Sequence, residues 1–156
     1  MAASFVYDVF LSFSGVDTRN KFTGHLLAAL DRHGFNIFRD DTKLRRGEEI
    51  GPGLLKAIKQ SRISVIVFSE NYASSKWCLD ELVKIMNCKE ELNQIVIPIF
   101  YDVQPSDVRS QRGCYAKAFA NHRKRFNLES VKKWRLALTQ AANLSGYVLQ
   151  NEANRY

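Results

Sequence analysis

Two short runs constrain this chain more than anything else in it. Ile63-Ser64-Val65-Ile66-Val67-Phe68-Ser69 is one; residues 94–101, from Gln94 through Ile95, Val96, Ile97, Pro98, Ile99 and Phe100 to Tyr101, are the other. Both are rich in β-branched residues and apolar at successive positions rather than alternate ones. A strand of that kind buries both its faces, as strands do in a parallel sheet with helices on either side. The stretches between them have helical spacing. Residues 19–32 place Phe22, Leu26, Leu27 and Leu30 on one stripe and stop at His33-Gly34. Residues 50–61 carry Leu54, Leu55 and Ile58, and a third helix is expected from Ser74-Ser75 to Glu91.

Three shorter segments complete the alternation. Residues 6–13 read as a first strand bounded by Ser14-Gly15, residues 35–38 as a second, and residues 147–149 as a short fifth. Residues 39–47 are a polar loop and residues 102–107 a turn-rich one; helices are expected at about 113–124 and 129–144, the latter with Val131, Trp134, Leu138 and Ala142 on one face. Right-handed crossovers then predict a three-layer α/β, flavodoxin-like sheet of five parallel strands in the order 2-1-3-4-5. The chain reverses direction between the first and third strands, so a ligand crevice is expected at their carboxyl ends. That points to residues 14–19 and 70–81.

Composition narrows the class. At 156 residues, 46% hydrophobic and 25% charged, the chain suits one domain (residues 5–150, with short tails at 1–4 and 151–156) whose core needs no disulfide or metal staple. The longest apolar run, from Ile95 to Tyr101, falls far short of the roughly 20 residues of a membrane span, and the first residues lack the pattern of a secretory signal. Cys78, Cys88 and Cys114 are odd in number and lack Cys-x-x-Cys spacing; His25, His33 and His122 are scattered. Neither a disulfide framework nor a metal site is expected, and the common phosphate-cradling glycine loops are absent. A cytoplasmic protein, with the nucleus as a second compartment, is the expectation.

The net charge of +7 has one address. Residues 104–135 hold nine basic residues (Arg109, Arg112, Lys117, Arg123, Lys124, Arg125, Lys132, Lys133 and Arg135) against two acidic ones, Asp107 and Glu129. This is either a pair of solvated helices or a surface that attracts polyanions such as nucleic acid.

One carboxylate stands out. On the helix from Ser74-Ser75, Leu79, Leu82, Val83 and Met86 form the stripe expected to face the sheet, while Trp77, Glu81, Ile85 and Cys88 line a second apolar stripe on the other side. Trp77 and Glu81 are neighbours at i, i+4. Glu81 is either a catalytic carboxylate shielded by an indole or an ordinary charge at a helix start, as Asp80 is expected to be. A lone carboxylate suits cleavage of a ribose–pyridinium bond, because nicotinamide leaves neutral and needs no general acid. An ordinary glycosidase needs a second carboxyl group, for which Asp40 is a candidate.

Several ordered motifs resemble a plant Toll/interleukin receptor (TIR) domain: Tyr7-Asp8-Val9-Phe10-Leu11-Ser12-Phe13, Asp17-Thr18-Arg19, Phe38-Arg39-Asp40-Asp41, Ser69-Glu70-Asn71-Tyr72-Ala73-Ser74-Ser75-Lys76-Trp77-Cys78-Leu79-Asp80-Glu81-Leu82 and Pro98-Ile99-Phe100-Tyr101-Asp102-Val103-Gln104-Pro105. The resemblance implies NAD⁺ (or NADP⁺) as substrate rather than a tightly bound cofactor, with nicotinamide and ADP-ribose or cyclic signalling nucleotides as products. It implies Glu81 as the catalytic glutamate and Trp77 as the aromatic residue over the nicotinamide. Phe13, Ser14, Gly15, Val16, Asp17, Thr18 and Arg19 fall on the loop lining the nucleotide, and Asp40, Lys43 and Arg45 on the loop gating the site. His25 falls in a contact between TIR domains, implying homotypic association. Two positions depart from the plant pattern: Ser14 stands where Arg is usual and Val16 where Glu is usual, which removes a planar charged donor suited to phosphate. A final helix after the fifth strand is expected to be missing. Three functions stay open: an NAD⁺ nucleosidase of innate immune signalling, a non-catalytic interaction module, and a nucleic-acid-binding cyclic-nucleotide synthetase. No membrane partner is expected.

Overall fold

The computed structural model describes residues 5–15, 22–38 and 51–150. In it, four strands run parallel in the order β1 (Tyr7–Phe13), β2 (Ser61–Phe68), β3 (Ile95–Tyr101) and β4 (Tyr147–Leu149). The register sets Val9 beside Ile63, Ile63 beside Ile95, and Ile99 beside Tyr147. On the free side of β1, Ile37 forms a single parallel bridge to Val9. The spatial order is therefore that of the expected 2-1-3-4-5 sheet.

The expected strand at residues 35–38 is reduced to that one bridge. Beside it, side chains take over the pairing with β1: the Asp8 carboxylate accepts the Asn36 backbone N–H at 2.7 Å, and the Asn36 amide donates to the Val6 carbonyl at 3.0 Å. A side chain that takes a strand's backbone donor competes with the ladder.

Helices cover both faces. Period-two alternation sends Val9 and Leu11 to one side, where they join Val65, Val67 and Ile99 beneath Phe22, Leu26, Leu27 and Leu30 of α1 (Phe22–Arg32). Phe10 points the other way, into a larger core with Ile66, Phe68 and Phe100. That core is closed by α2 (Pro52–Lys59), α3 (Lys76–Leu92), α5 (Cys114–Arg125) and α6 (Leu128–Ala142). The α1 side is the thinner layer: the apolar stripe of α1 is only half-buried, and Tyr147 and Val148 of β4 stand exposed.

The boundaries of α3 follow from its ends. Ser75 is its N-cap, its side chain accepting the Cys78 backbone N–H at 3.1 Å, and Asn93 closes it in the left-handed region at φ 55°. The stretch expected to be a turn-rich loop contains instead a short helix, α4 (Pro105–Ser110). Proline fits the first turn of a helix, where its missing N–H has no partner to lose, and Asp107 complements the same end.

Pro98 lies inside β3, a place proline is normally barred from. It is tolerated because β4 pairs only with Ile99 to Tyr101, so no ladder to β4 forms beside it. Gly146, just before β4, fills that gap: a Cβ there would collide with the Pro98 carbonyl oxygen and stand 2.7 Å from its Cγ. Gly146→Ala is expected to push β4 off β3, costing about 1–3 kcal/mol as overpacking generally does. Thermal unfolding of the variant measures this, and an unchanged melting temperature would refute the fit.

Candidate functional site

The face of β1 that carries Phe10 also carries Ser12, which is fully buried at the strand's carboxyl end. Opposite it, in the second turn of α3, is Glu81, with 0% of its surface exposed. Ser12 Oγ donates to Glu81 Oε1 at 2.8 Å, and the Trp77 indole Nε1–H donates to Glu81 Oε2 at 2.8 Å. Each carboxylate oxygen thus has a fixed donor. Without such partners, burying a carboxyl group in the core would cost several kcal/mol, so the two donors are what make this position tolerable for a glutamate.

A second layer stands behind the serine. Tyr72, from a 3₁₀ turn (Tyr72–Ser74) between β2 and α3, places its hydroxyl 2.8 Å from Ser12 Oγ and 3.1 Å from the Cys78 carbonyl. The proton count decides the direction. Ser12 has one proton and donates it to Glu81, so the Tyr72 proton is shared between Ser12 Oγ and the Cys78 carbonyl. Burial first, then the nearby Cys78 and Glu81, pushes the Tyr72 hydroxyl well above its ordinary range, which keeps it a donor. Cys78 adds a sulfur contact to the Phe13 carbonyl at 3.5 Å, tying α3 to the end of β1.

Sequence pattern paired Trp77 with Glu81 correctly but put the carboxylate on the wrong side of the helix. Glu81 and Cys78 reach β1, so their stripe is the one that meets the sheet there. Leu79, Leu82, Ile85 and Cys88 are all buried as well. A helix apolar around most of its circumference gives periodicity no contrast with which to choose a face. Asp80 is also more than a solvated charge at a helix start. It accepts from the Trp134 indole of α6 at 3.0 Å and from Lys76 at 2.8 Å, bridging α3 to α6.

Of the other expected site residues, Phe13 and Gly15 are half-buried and Ser14 is buried, beside the end of β1. Val16, Asp17, Thr18, Arg19, Asp40, Lys43 and Arg45 lie outside the described residues. His25 is exposed on α1, far along the chain from the carboxylate and on the opposite layer. Ser12 and Tyr72 were missed, although a serine set between Leu11 and Phe13 in the apolar end of a strand is itself a signal that something polar faces it.

Among the described residues no group of three or more His, Cys, Asp or Glu side chains is placed to hold a metal ion, and no helix is long and apolar enough to cross a membrane. Burial raises the thiol pKa of Cys88, and burial followed by Glu70 raises that of Cys114, so neither is an activated thiolate.

The fold and the site together define a doubly wound α/β domain with a buried carboxylate at the carboxyl ends of its first strands. Comparison with known proteins gives the family: residues 6–155 match the TIR domain, and the chain belongs to that family. It is 60% identical over 146 residues to disease resistance protein RPV1 of Vitis rotundifolia, covering 94% of this chain and 10% of that protein. It is 54% identical over 142 residues to TMV resistance protein N of Nicotiana glutinosa, covering 90% of this chain and 12% of the relative. The chain thus spans about a tenth of the length of the curated relatives it matches. Among solved structures, the TIR domains of the activated Roq1 resistosome, which directly recognises the pathogen effector XopQ, superpose with a TM-score of 0.84 at 51% identity, covering 96% of this chain and 92% of that one.

Proposed function

We propose that this TIR domain is an NAD⁺ glycohydrolase of plant innate immune signalling, with Glu81 as its catalytic residue. The observation that carries the reading is the fully buried Glu81 carboxylate, gripped at one oxygen by Ser12 and at the other by Trp77. In the reaction the bond between ribose C1′ and the pyridinium nitrogen breaks. Its electron pair neutralises the ring, and nicotinamide leaves without needing a proton. The ribose passes through an oxocarbenium-like transition state that the carboxylate stabilises. Water adds to C1′ and releases a proton, giving ADP-ribose; a second nucleophile in place of water gives cyclic or related nucleotides.

The same burial sets an access requirement. Substrate reaches Glu81 only by displacing a neighbour; of its donors among the described residues, Trp77 is partly open to solvent, whereas Ser12 is sealed. Trp77 therefore gives up its bond to the carboxylate and lies over the nicotinamide, while Ser12 keeps its hold. Phe13, Ser14 and Gly15, with residues 16–19, line the nucleotide, and Asp40, Lys43 and Arg45 gate it. NAD⁺ is substrate, with no resident cofactor, and other TIR domains are partners through the α1 face that carries His25. Incubating concentrated protein with NAD⁺ and following nicotinamide by chromatography tests the reading. Silence from folded, self-associated protein would favour a non-catalytic interaction module.

A second reading draws on the basic helices. Arg112, Lys117, Arg123, Lys124, Arg125, Lys132 and Lys133 are all exposed, so the charge is available to a polyanion in the cytoplasm or nucleus. Nucleic-acid binding there should weaken steeply with salt, and replacing Arg123, Lys124 and Arg125 by Ala should flatten the log–log salt slope by up to about 3. Titration of labelled duplex DNA at several ionic strengths reads this directly; an unaltered slope removes the reading.

A further inference from the structure

Helix α5 commits two buried polar side chains to the segment that positions the carboxylate. The Tyr115 hydroxyl donates to the Ser69 carbonyl at 2.9 Å, and His122 Nε2–H donates to the Ala73 carbonyl at 2.7 Å. Because a carbonyl only accepts, the proton must sit on Nε2. The two residues are seven apart, two helical turns, and so lie on one face of α5 with the buried Ala118 and Phe119 between them. Their two acceptors bracket Tyr72, the residue whose hydroxyl sets Ser12. Ser69, Tyr72, Ala73, Tyr115 and His122 are all buried.

We infer that α5 is a brace for the reacting carboxylate, and that Tyr115 and His122 are positioning residues acting through the backbone of residues 69–73, then Tyr72 and Ser12, on Glu81. Each link is a hydrogen bond of 2.7–2.9 Å between buried groups, in surroundings where such bonds are stiff and a lost partner is not replaced by water. Three further contacts fix the far side of His122: its ring meets Phe119, Phe126 and Trp134 at centroid distances of 5.5, 5.6 and 5.2 Å. Burial also holds the imidazole below its ordinary pKa, which keeps it the neutral donor this contact uses. A shift of the Tyr72 turn moves the Ser12 proton off Glu81 Oε1, and the carboxylate loses the anchor that Ser12 provides.

The catalytic half of the inference rests on the NAD⁺ glycohydrolase reading; the structural half does not. Tyr115→Phe removes one hydroxyl and keeps the ring, so the fold is retained. The chain has two tryptophans, Trp77 and Trp134, and Trp77→Phe assigns their indole N–H resonances. In Tyr115→Phe the Trp77 indole resonance, which reports its bond to Glu81, is expected to shift and exchange faster with solvent, while that of Trp134 stays in place. The kcat for nicotinamide release is expected to fall about tenfold with KM unchanged, as for a misplaced rather than missing group. His122→Leu should lower kcat likewise, and His122→Gln, which keeps an N–H donor, should restore most of it. A Trp77 resonance unmoved by Tyr115→Phe overturns the brace. If the unmodified protein releases no nicotinamide, the glycohydrolase reading fails alone and the Trp77 resonance still decides the brace.

Discussion

Replacing Glu81 with glutamine is expected to reduce nicotinamide release from NAD⁺ by about 10²–10³-fold, the range seen when a single electrostatic stabiliser of a transition state is lost. The variant separates charge from fold. The introduced side chain has the same shape, its carbonyl oxygen still accepts from the Trp77 indole, and its amide donates to Ser12 Oγ once the serine turns its proton to Tyr72. No buried charge remains to be desolvated, so the melting temperature should hold or rise. Glu81→Ala also removes activity but leaves a cavity in the core and takes away the acceptor of the Trp77 indole, so it should cost stability too. Chromatography of nicotinamide beside thermal unfolding of both variants checks the pair. Full activity in Glu81→Gln would remove Glu81 from the chemistry.

The largest expected effect on stability belongs to Trp134. Its side chain is 2% exposed, packed against His122 and Phe126 at 5.2 and 5.3 Å between ring centroids, with its indole N–H on Asp80. It joins α3, α5 and α6 at one point. Trp134→Ala should cost about 3–5 kcal/mol, from lost burial and the cavity left behind. For a domain of this size that is a fall of about 6–20 °C in melting temperature. Trp134→Phe keeps a ring and gives up chiefly the bond to Asp80, so it should cost a third or less of that. Since α5 carries Tyr115 and His122, Trp134→Ala is also expected to loosen the Tyr72 turn, and to lower kcat in whatever protein remains folded.

The parts of this domain written locally in the chain were legible there. Residues 63–69 and 94–101 needed no tertiary information to be parallel strands, because apolar side chains at successive positions of a short run must be covered on both faces. Trp77 and Glu81 were identifiable as a pair because four residues along a helix is about one turn. Ser75 as N-cap follows from the same local chemistry.

Other features depended on the partner an element meets. Pro105 read as a loop signal because proline marks both turns and helix starts; its position in α4 follows the packing of α4 on α6, where Arg109 reaches the Ala142 carbonyl at 3.3 Å. The bridge at Ile37 replaced a strand because Asp8 and Val6 captured Asn36. The face of α3 that meets the sheet was hidden by its second apolar stripe.

Sequence by itself determined the class of fold and the pairing of Trp77 with Glu81 along their helix, since each rests on spacing along a few consecutive residues. Tertiary structure alone decided that Glu81 is sealed in the core, that Ser12 and Tyr72 hold it, and that α5 holds them. Those contacts join residues 60, 69 and 46 positions apart. No local periodicity carries information over such separations; the packing of the helices on β1 creates the juxtaposition.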